Sequence, residues 1–420
     1  MSRRYPRPFV CGLAALLPVA CAAPTGLDGP AAAPSSASEV ATTRVQIVYG
    51  SQRPLVELVF TGADGRDRRV LAWVNMGAPT IVLSKTLYRE LGVGAGRDLA
   101  FRIGAIGITV PAASVTDGPG ELDGRDLFDL LFAPRRVEAV LPASVLRRFA
   151  IVLDPAARTL TLAPPGTLKP AGIPVPIRVD PASGIATVEA QMGETALPLV
   201  LDAGAPYTWL RGSAVAGLLR LHPEWHRADG AVGRSNLAMA DLGLERDGTL
   251  VRLPDVTLGD LVLPAVGALG TGPMLRRVGD ALVGELFWDL WQKPAPVPVA
   301  GWLGGNVLSD FRLTIDYTAG LSTWQRQRPT DPHDLDGIGL TLVRYGDDYR
   351  VSRVADRNGQ PLVAGVEPGD RLVAVDGRPL RGAASEFAWD ALRGRPGTLR
   401  RLDLERDGRP LQVEAPAVEF

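Results

Sequence analysis

Cysteine is almost missing from this sequence, and histidine with it: two of the first and three of the second in 420 residues. Both cysteines, Cys11 and Cys21, lie in the first 22 residues. The folded part therefore has no disulfide to draw on and depends on its core. It also has no thiol nucleophile, and too few imidazoles to assemble a Ser-His-Asp or Cys-His set. His222-Pro223-Glu224-Trp225-His226 spaces two imidazoles four apart, but Pro223 interrupts any helix there and Glu224 is not in the metalloprotease position. That segment reads as a surface turn, His333 stands alone, and no metal is expected. The net charge of −1 gives neither nucleic acid nor an anionic membrane a basic face to bind. No glycine loop leads into a helix carrying lysine, so no phosphate cradle and no cofactor are expected. Aromatic residues are sparse at 6%, whereas 47 glycines and 36 prolines favour many short strands and turns over helix bundles. The expected class is mostly β.

No long hydrophobic run is present either. The longest stretch near the start, Phe9 to Ala20, follows Arg3, Arg4 and Arg7 and is too short for a permanent membrane helix, which is the layout of an export signal. Pro18-Val19-Ala20-Cys21 resembles a lipoprotein lipobox, with Leu17 one place further from the cysteine than that pattern prefers. Ala20-Cys21-Ala22 equally reads as a cleavage site. Residues 1–22 are thus an expected leader, with Cys21 a candidate lipidation site, and residues 23–42, rich in Ala, Pro, Ser and Thr, a flexible tether. The implied location is the periplasm or an anchor in the outer membrane, with membrane contact only through that lipid.

What the chain does have is an internal echo. Val74-Asn75-Met76-Gly77-Ala78-Pro79 and Leu201-Asp202-Ala203-Gly204-Ala205-Pro206 share Gly-Ala-Pro, and each closes on a leucine four residues later. These copies are 127 residues apart. A second block, Val140-Leu141, Val145-Leu146, Phe149 and Asp154, recurs 162 residues on as Trp302-Leu303, Val307-Leu308, Phe311 and Asp316. Two blocks in the same order predict two related lobes, residues 43–165 and 166–327. The later lobe carries 35 extra residues, expected between Pro273 and Gly301. Leu275, Val278, Leu282 and Leu286 have helical spacing there, followed by Phe287, Trp288, Leu290 and Trp291. The default is a helix packed on its own lobe; the alternative is an arm over a cleft, offering tryptophan as stacking surface.

Residues 328–336 read as a polar linker. Gly337-Ile338-Gly339-Leu340 then opens a strand, Glu367-Pro368-Gly369-Asp370 leads to Val375-Asp376-Gly377, a short helix covers Phe387 to Leu392, and a hairpin from Leu399 to Val413 turns at Asp407-Gly408.

On these residues the paired lobes resemble the pepsin and retropepsin clan of aspartic proteases, and residues 337–420 resemble a PDZ domain of the exported bacterial kind. In the clan each lobe supplies an Asp-Thr/Ser-Gly turn and a hydrophobic-hydrophobic-Gly support. Asp202-Ala203-Gly204 matches the turn except at its second position, and Trp302-Leu303-Gly304 matches the support. Asn75-Met76-Gly77 and Val140-Leu141-Pro142 are degraded copies. The resemblance implies a two-lobed pepsin-like body, a duplicated retropepsin-like unit, followed by PDZ.

The departures bear on the chemistry. Two close carboxylates share one proton, one acting as base towards water and the other as donor to the scissile carbonyl; aspartic proteases are the standard example. With Asn75 opposite Asp202 the dyad is degenerate, keeping a base and a hydrogen-bond donor but no shuttling proton. Met76 and Ala203 lack the hydroxyl that normally bonds across to the other lobe. The expected activity is therefore that of a catalytically impaired binder of extended polypeptides, held by backbone pairing in the cleft. An active endopeptidase relying on Asp202 is the alternative, and a PDZ-led adaptor with scaffold lobes is a third. In the PDZ segment Gly337, Ile338, Gly339 and Leu340 are expected to present N–H groups to a protein C-terminus. The end of the chain, Val418-Glu419-Phe420, is itself a segment such a groove accepts, although a frayed tail is the default.

Overall fold

Alternation of apolar and polar residues, interrupted every few positions by glycine, proline or aspartate, produces strands of two to ten residues and little helix. The computed structural model describes residues 42–420 apart from 63, 123–124, 231–247, 273–286 and 358. The leader with Cys21 and nearly all of the tether lie outside the described residues, as does the apolar run Leu275 to Leu286.

In the first half, Asp67–Asn75 pairs in parallel with Ala139–Pro142, which pairs antiparallel with Ile81–Leu83. In the second half, Thr195–Leu201 pairs in parallel with Gly301–Leu303, which pairs antiparallel with Trp209–Leu210. The registers correspond at the offsets read from the sequence: Val140 lies against Trp73 and Val82, and Trp302 against Val200 and Trp209. Loop bonds follow the same rule. Ala143 donates to the Ala78 carbonyl and Gly305 to that of Ala205; Ser84 donates to Glu138 and Arg211 to Ala300; Glu138 donates to Leu71 and Ala300 to Pro198.

Both halves contribute to one six-stranded sheet, in which Ala150–Asp154 runs antiparallel to Phe311–Asp316. Ile151 faces Ile315 and Leu153 faces Leu313. At the 162-residue offset Leu313 stands for Ile151 and Ile315 for Leu153, so each contact is exchanged for its equivalent, as a two-fold relation requires. Ile47, Leu153, Leu160 and Leu313 belong to a single core that runs through both halves.

The remaining domain is a sheet built around Leu340–Tyr345, Asp348–Val354, Arg371–Val375, Leu399–Arg406 and Arg409–Pro416, with the helix Ser385–Leu392 packed on it. The hairpin expected at Asp407-Gly408 is present, both residues having the positive φ of a tight two-residue turn. This domain is not held at arm's length. Leu335 and Asp336 of the expected linker are buried, Asp229 pairs with Asp356, Thr341 Oγ1 donates to the Gly230 carbonyl, and Arg344 donates to the Ala133 carbonyl at 2.7 Å.

The tryptophans at the end of the extra segment follow the default expectation of packing on their own lobe, not the alternative of an arm over a cleft. Residues 287–291 are helical, Trp288 is fully buried and Trp291 nearly so. Their rings lie 4.8 and 5.1 Å from Trp302, and the Trp288 indole donates to Thr271 Oγ1. Burying rings of this size stabilises the fold far more than leaving them in water, so they form core instead of an exposed stacking surface.

Substituting Ile315→Ala removes a buried side chain from the shared sheet. A loss of about 2–5 kcal/mol in unfolding free energy is expected by urea denaturation, in one transition for both halves.

Candidate functional site

The strand Thr195–Leu201 is buried at its end, and Leu303 accepts the Asp202 N–H as the chain leaves the sheet. This delivers the Asp202 carboxylate to the place where the first-half turn arrives from Asp67–Asn75. Asp202 Oδ1 accepts the Met76 N–H at 3.0 Å and the Gly204 N–H at 2.8 Å. Asn75 Oδ1 accepts the Gly77 N–H at 3.0 Å. The two turns thus meet, bringing Asn75, Gly77, Asp202, Ala203 and Gly204 to one place.

Their closeness requires the glycines. A Cβ on Gly77 would sit 2.7 Å from Asp202 Oδ2, and one on Gly204 would sit 2.8 Å from Asn75 Cα. A Cβ on Gly304 would lie 2.3 Å from the Tyr207 carbonyl carbon and oxygen, so the support segment also demands glycine. At the equivalent first-half position Pro142 stands against Asn75 in the parallel pairing.

No hydroxyl ties the two turns together. Met76 and Ala203 are buried, and contact between the turns runs through the Met76 amide and through Trp73, whose indole donates to the Gly204 carbonyl at 3.1 Å. Sequence reasoning missed Trp73. Its one mark was being the only tryptophan before residue 166, at a place where the other copy has Val200. Trp291, buried as the default expectation had it, also reaches the first-half turn: its ring edge lies 3.0 Å from the Cβ position of Gly77.

Burial dominates the electrostatics. It pushes the Asp202 carboxyl from the ordinary 3.8 up to about 6, against the pull of the Gly204, Gly77, Met76 and Ala205 amides. Burial likewise raises the Tyr317 phenol, with the Asp202 charge adding to it. The Tyr317 hydroxyl finds no hydrogen-bond partner among the described residues.

Space beside the turns lies on the flank: a cavity of about 560 Å³ has Ala203, Pro206 and Asn306 on one wall and Glu386 and Asp390 of the terminal domain on another. Asn306 Oδ1 accepts both the N–H and the hydroxyl of Thr208, fixing the chain just past the Asp202 turn.

The histidines are used structurally. His222 stacks on Trp225 with ring centroids 4.3 Å apart, and His333 Nδ1 lies 2.7 Å from Asp336. Among the described residues no three His, Cys, Asp or Glu side chains gather as a metal set, and no helix is long and apolar enough to cross a membrane.

In the terminal domain the expected recognition loop is only partly open, which corrects the expectation that all of Gly337, Ile338, Gly339 and Leu340 present free amides. Gly337 N–H donates to the Val418 carbonyl at 3.2 Å and Ile338 N–H to that of Leu392 at 3.0 Å. The chain past Pro416 pairs with the first residue of the loop, Gly337, while the end of the helix Ser385–Leu392 takes the Ile338 amide.

Comparison with known proteins agrees on this domain. Residues 329–404 match the PDZ domain family, so the chain carries a PDZ domain whose match begins inside the expected linker. One similar solved structure is the PDZ domain of a carboxy-terminal protease from Vibrio cholerae in complex with peptide. It is 20% identical, with 20% of this chain and 95% of that chain covered and a TM-score of 0.18. No curated protein matches the chain. PDZ domains add an extended peptide end to a sheet edge, which makes polypeptide ends the class of partner this domain implies.

Two measurements check the site. Because the folded carboxyl titrates above its unfolded value, the stability Asp202 permits is complete below about 4 and is lost as pH rises through about 6; Asp202→Asn should abolish that decline, worth about 3 kcal/mol at most, in denaturation series between pH 4 and 8. Trp73→Phe should cost about 1–3 kcal/mol, since it leaves the Gly204 carbonyl without its donor.

Proposed function

We propose that the two halves before residue 328 form an aspartic-protease-like body of the pepsin and retropepsin clan, catalytically impaired, which with the PDZ domain engages extended polypeptides in the cell envelope. The bond from Met76 N–H to Asp202 Oδ1 carries this reading, since it sets the two glycine turns face to face with one acid and one amide between them. Support for a duplicated body comes from registers and loop bonds repeating at both offsets. On this reading the leader delivers the chain to the envelope, and Cys21 is the candidate anchor.

The chemistry explains the impairment. Below about 6 Asp202 holds its proton and cannot activate water; above it, the carboxylate is a base facing an amide that never yields a proton. Asn75 spends its carbonyl oxygen on Gly77, leaving Nδ2 to hold a substrate carbonyl without exchanging roles. Either side of that pH, one of the two duties is unfilled.

The second reading, an active endopeptidase, draws on the same raised carboxyl, because a base titrating near 6 is poised for work close to neutrality. Its pH profile would then be a single rising limb through about 6 instead of a bell.

Denatured casein separates them. The native chain should show no turnover above background between pH 3 and 8 (about the range over which carboxyls titrate), and Asn75→Asp, which restores the second acid, should exceed that background by about two to four powers of ten. Turnover by the native chain that disappears in Asp202→Ala would reject impairment and establish the peptidase.

A further inference from the structure

The segment Val418–Phe420 is anchored more firmly than a frayed tail. Val418 N–H donates to the Gly337 carbonyl at 2.8 Å and receives the reciprocal bond from Gly337. Phe420 N–H donates to Asp336 Oδ1, and Arg357 donates to the Glu419 carbonyl at 2.6 Å. The Phe420 ring is 4% exposed, packs with Leu250, Leu335 and Ala355, and reaches within 3.0 Å of the Cβ position of Gly339. What remains between Gly339, Leu340, Trp389, Leu392 and this ring is a cavity of about 30 Å³, room for little more than water.

The same segment is wired to the second half. Arg252 donates through Nε and Nη2 to the Phe420 backbone oxygen, and through Nη1 to Asp334 at 2.6 Å. Asp334 Oδ2 accepts the Tyr207 hydroxyl at 3.1 Å. Tyr207 closes the turn that begins at Asp202, and its position is tight: a Cβ on Gly267 would lie 1.9 Å from its hydroxyl, and its carbonyl accepts the Trp302 indole.

We infer that Val418–Phe420 closes the PDZ recognition loop of its own chain, and that an external hydrophobic polypeptide end must displace it, loosening through Arg252 and Asp334 the turn that carries Asp202. This rests on the peptide-binding reading of the PDZ domain. The occupant and the incoming peptide are of one chemistry, an extended backbone carrying an aromatic side chain, so they compete for the Gly337 backbone and the space beside Gly339. Displacement of Phe420 takes one acceptor from Arg252 and leaves it the Ala265 carbonyl and Asp334, the carboxylate that also holds the Tyr207 hydroxyl. Loop occupancy and the conformation of the Asp202 turn are therefore coupled, reciprocally.

The test uses the full chain and a synthetic peptide ending in Val-Glu-Phe with a free carboxylate, titrated calorimetrically. Phe420→Ala should bind it about tenfold or more tightly than the native chain, because the closed state no longer lowers the competent fraction. Equal affinities overturn the closure. If Phe420→Ala does not fold, the native chain saturated with peptide decides instead: amide exchange across residues 415–420 should accelerate, and retained protection overturns the closure. Arg252→Gln tests the relay without any peptide. Faster exchange across residues 201–208 supports it, and unchanged exchange overturns it. If neither chain takes up the peptide, the peptide-binding reading and the displacement fail together, whereas the Arg252→Gln result still stands or falls alone.

Discussion

A carboxylate removed from water has to be met by donors, and Asp202 is met by backbone N–H groups arriving from two strands more than a hundred residues apart in sequence. Much of the surrounding architecture follows from that requirement. Two turns can crowd one charge only if side chains are absent at Gly77 and Gly204, and only if each turn is propped from behind by a parallel strand, Ala139–Pro142 on one side and Gly301–Leu303 on the other. The shared sheet fixes the distance between the two props. Beside the Met76 amide, the Trp73 indole ties one turn to the other.

The donors do not outweigh the loss of water, so the site disfavours the charge it surrounds. The amides around Asp202 are fixed donors, and the residue facing it is an amide whose oxygen is already engaged by Gly77. Burial raises the pH at which the carboxyl ionises.

The repeating blocks were readable because each marks backbone geometry: Gly-Ala-Pro a turn that tolerates no Cβ at its centre, Val-Leu and Phe the buried faces that must meet in a sheet. Asp407-Gly408 announced its hairpin for a similar reason, since a two-residue turn needs positive φ at both places. Trp73, Arg252 and Asp334 carried no such mark. Their roles come from partners far along the chain, Gly204 for the indole and each other across 82 residues for the ion pair, and pairings of that kind leave no periodicity to read. The tail misled for the opposite reason. A short hydrophobic end looks free in sequence, but here the strand Arg409–Pro416 simply continues until its backbone finds Gly337. The tryptophans after residue 286 gave their identity but not their direction, which core packing around Trp302 decided.

The six-stranded sheet also limits what kind of machine this body can be. Because Ala150–Asp154 and Phe311–Asp316 are zipped together through their main chains, there is no seam along which one half could swing away like a jaw. The two halves share one floor, and a change in either is felt through the same main-chain ladder.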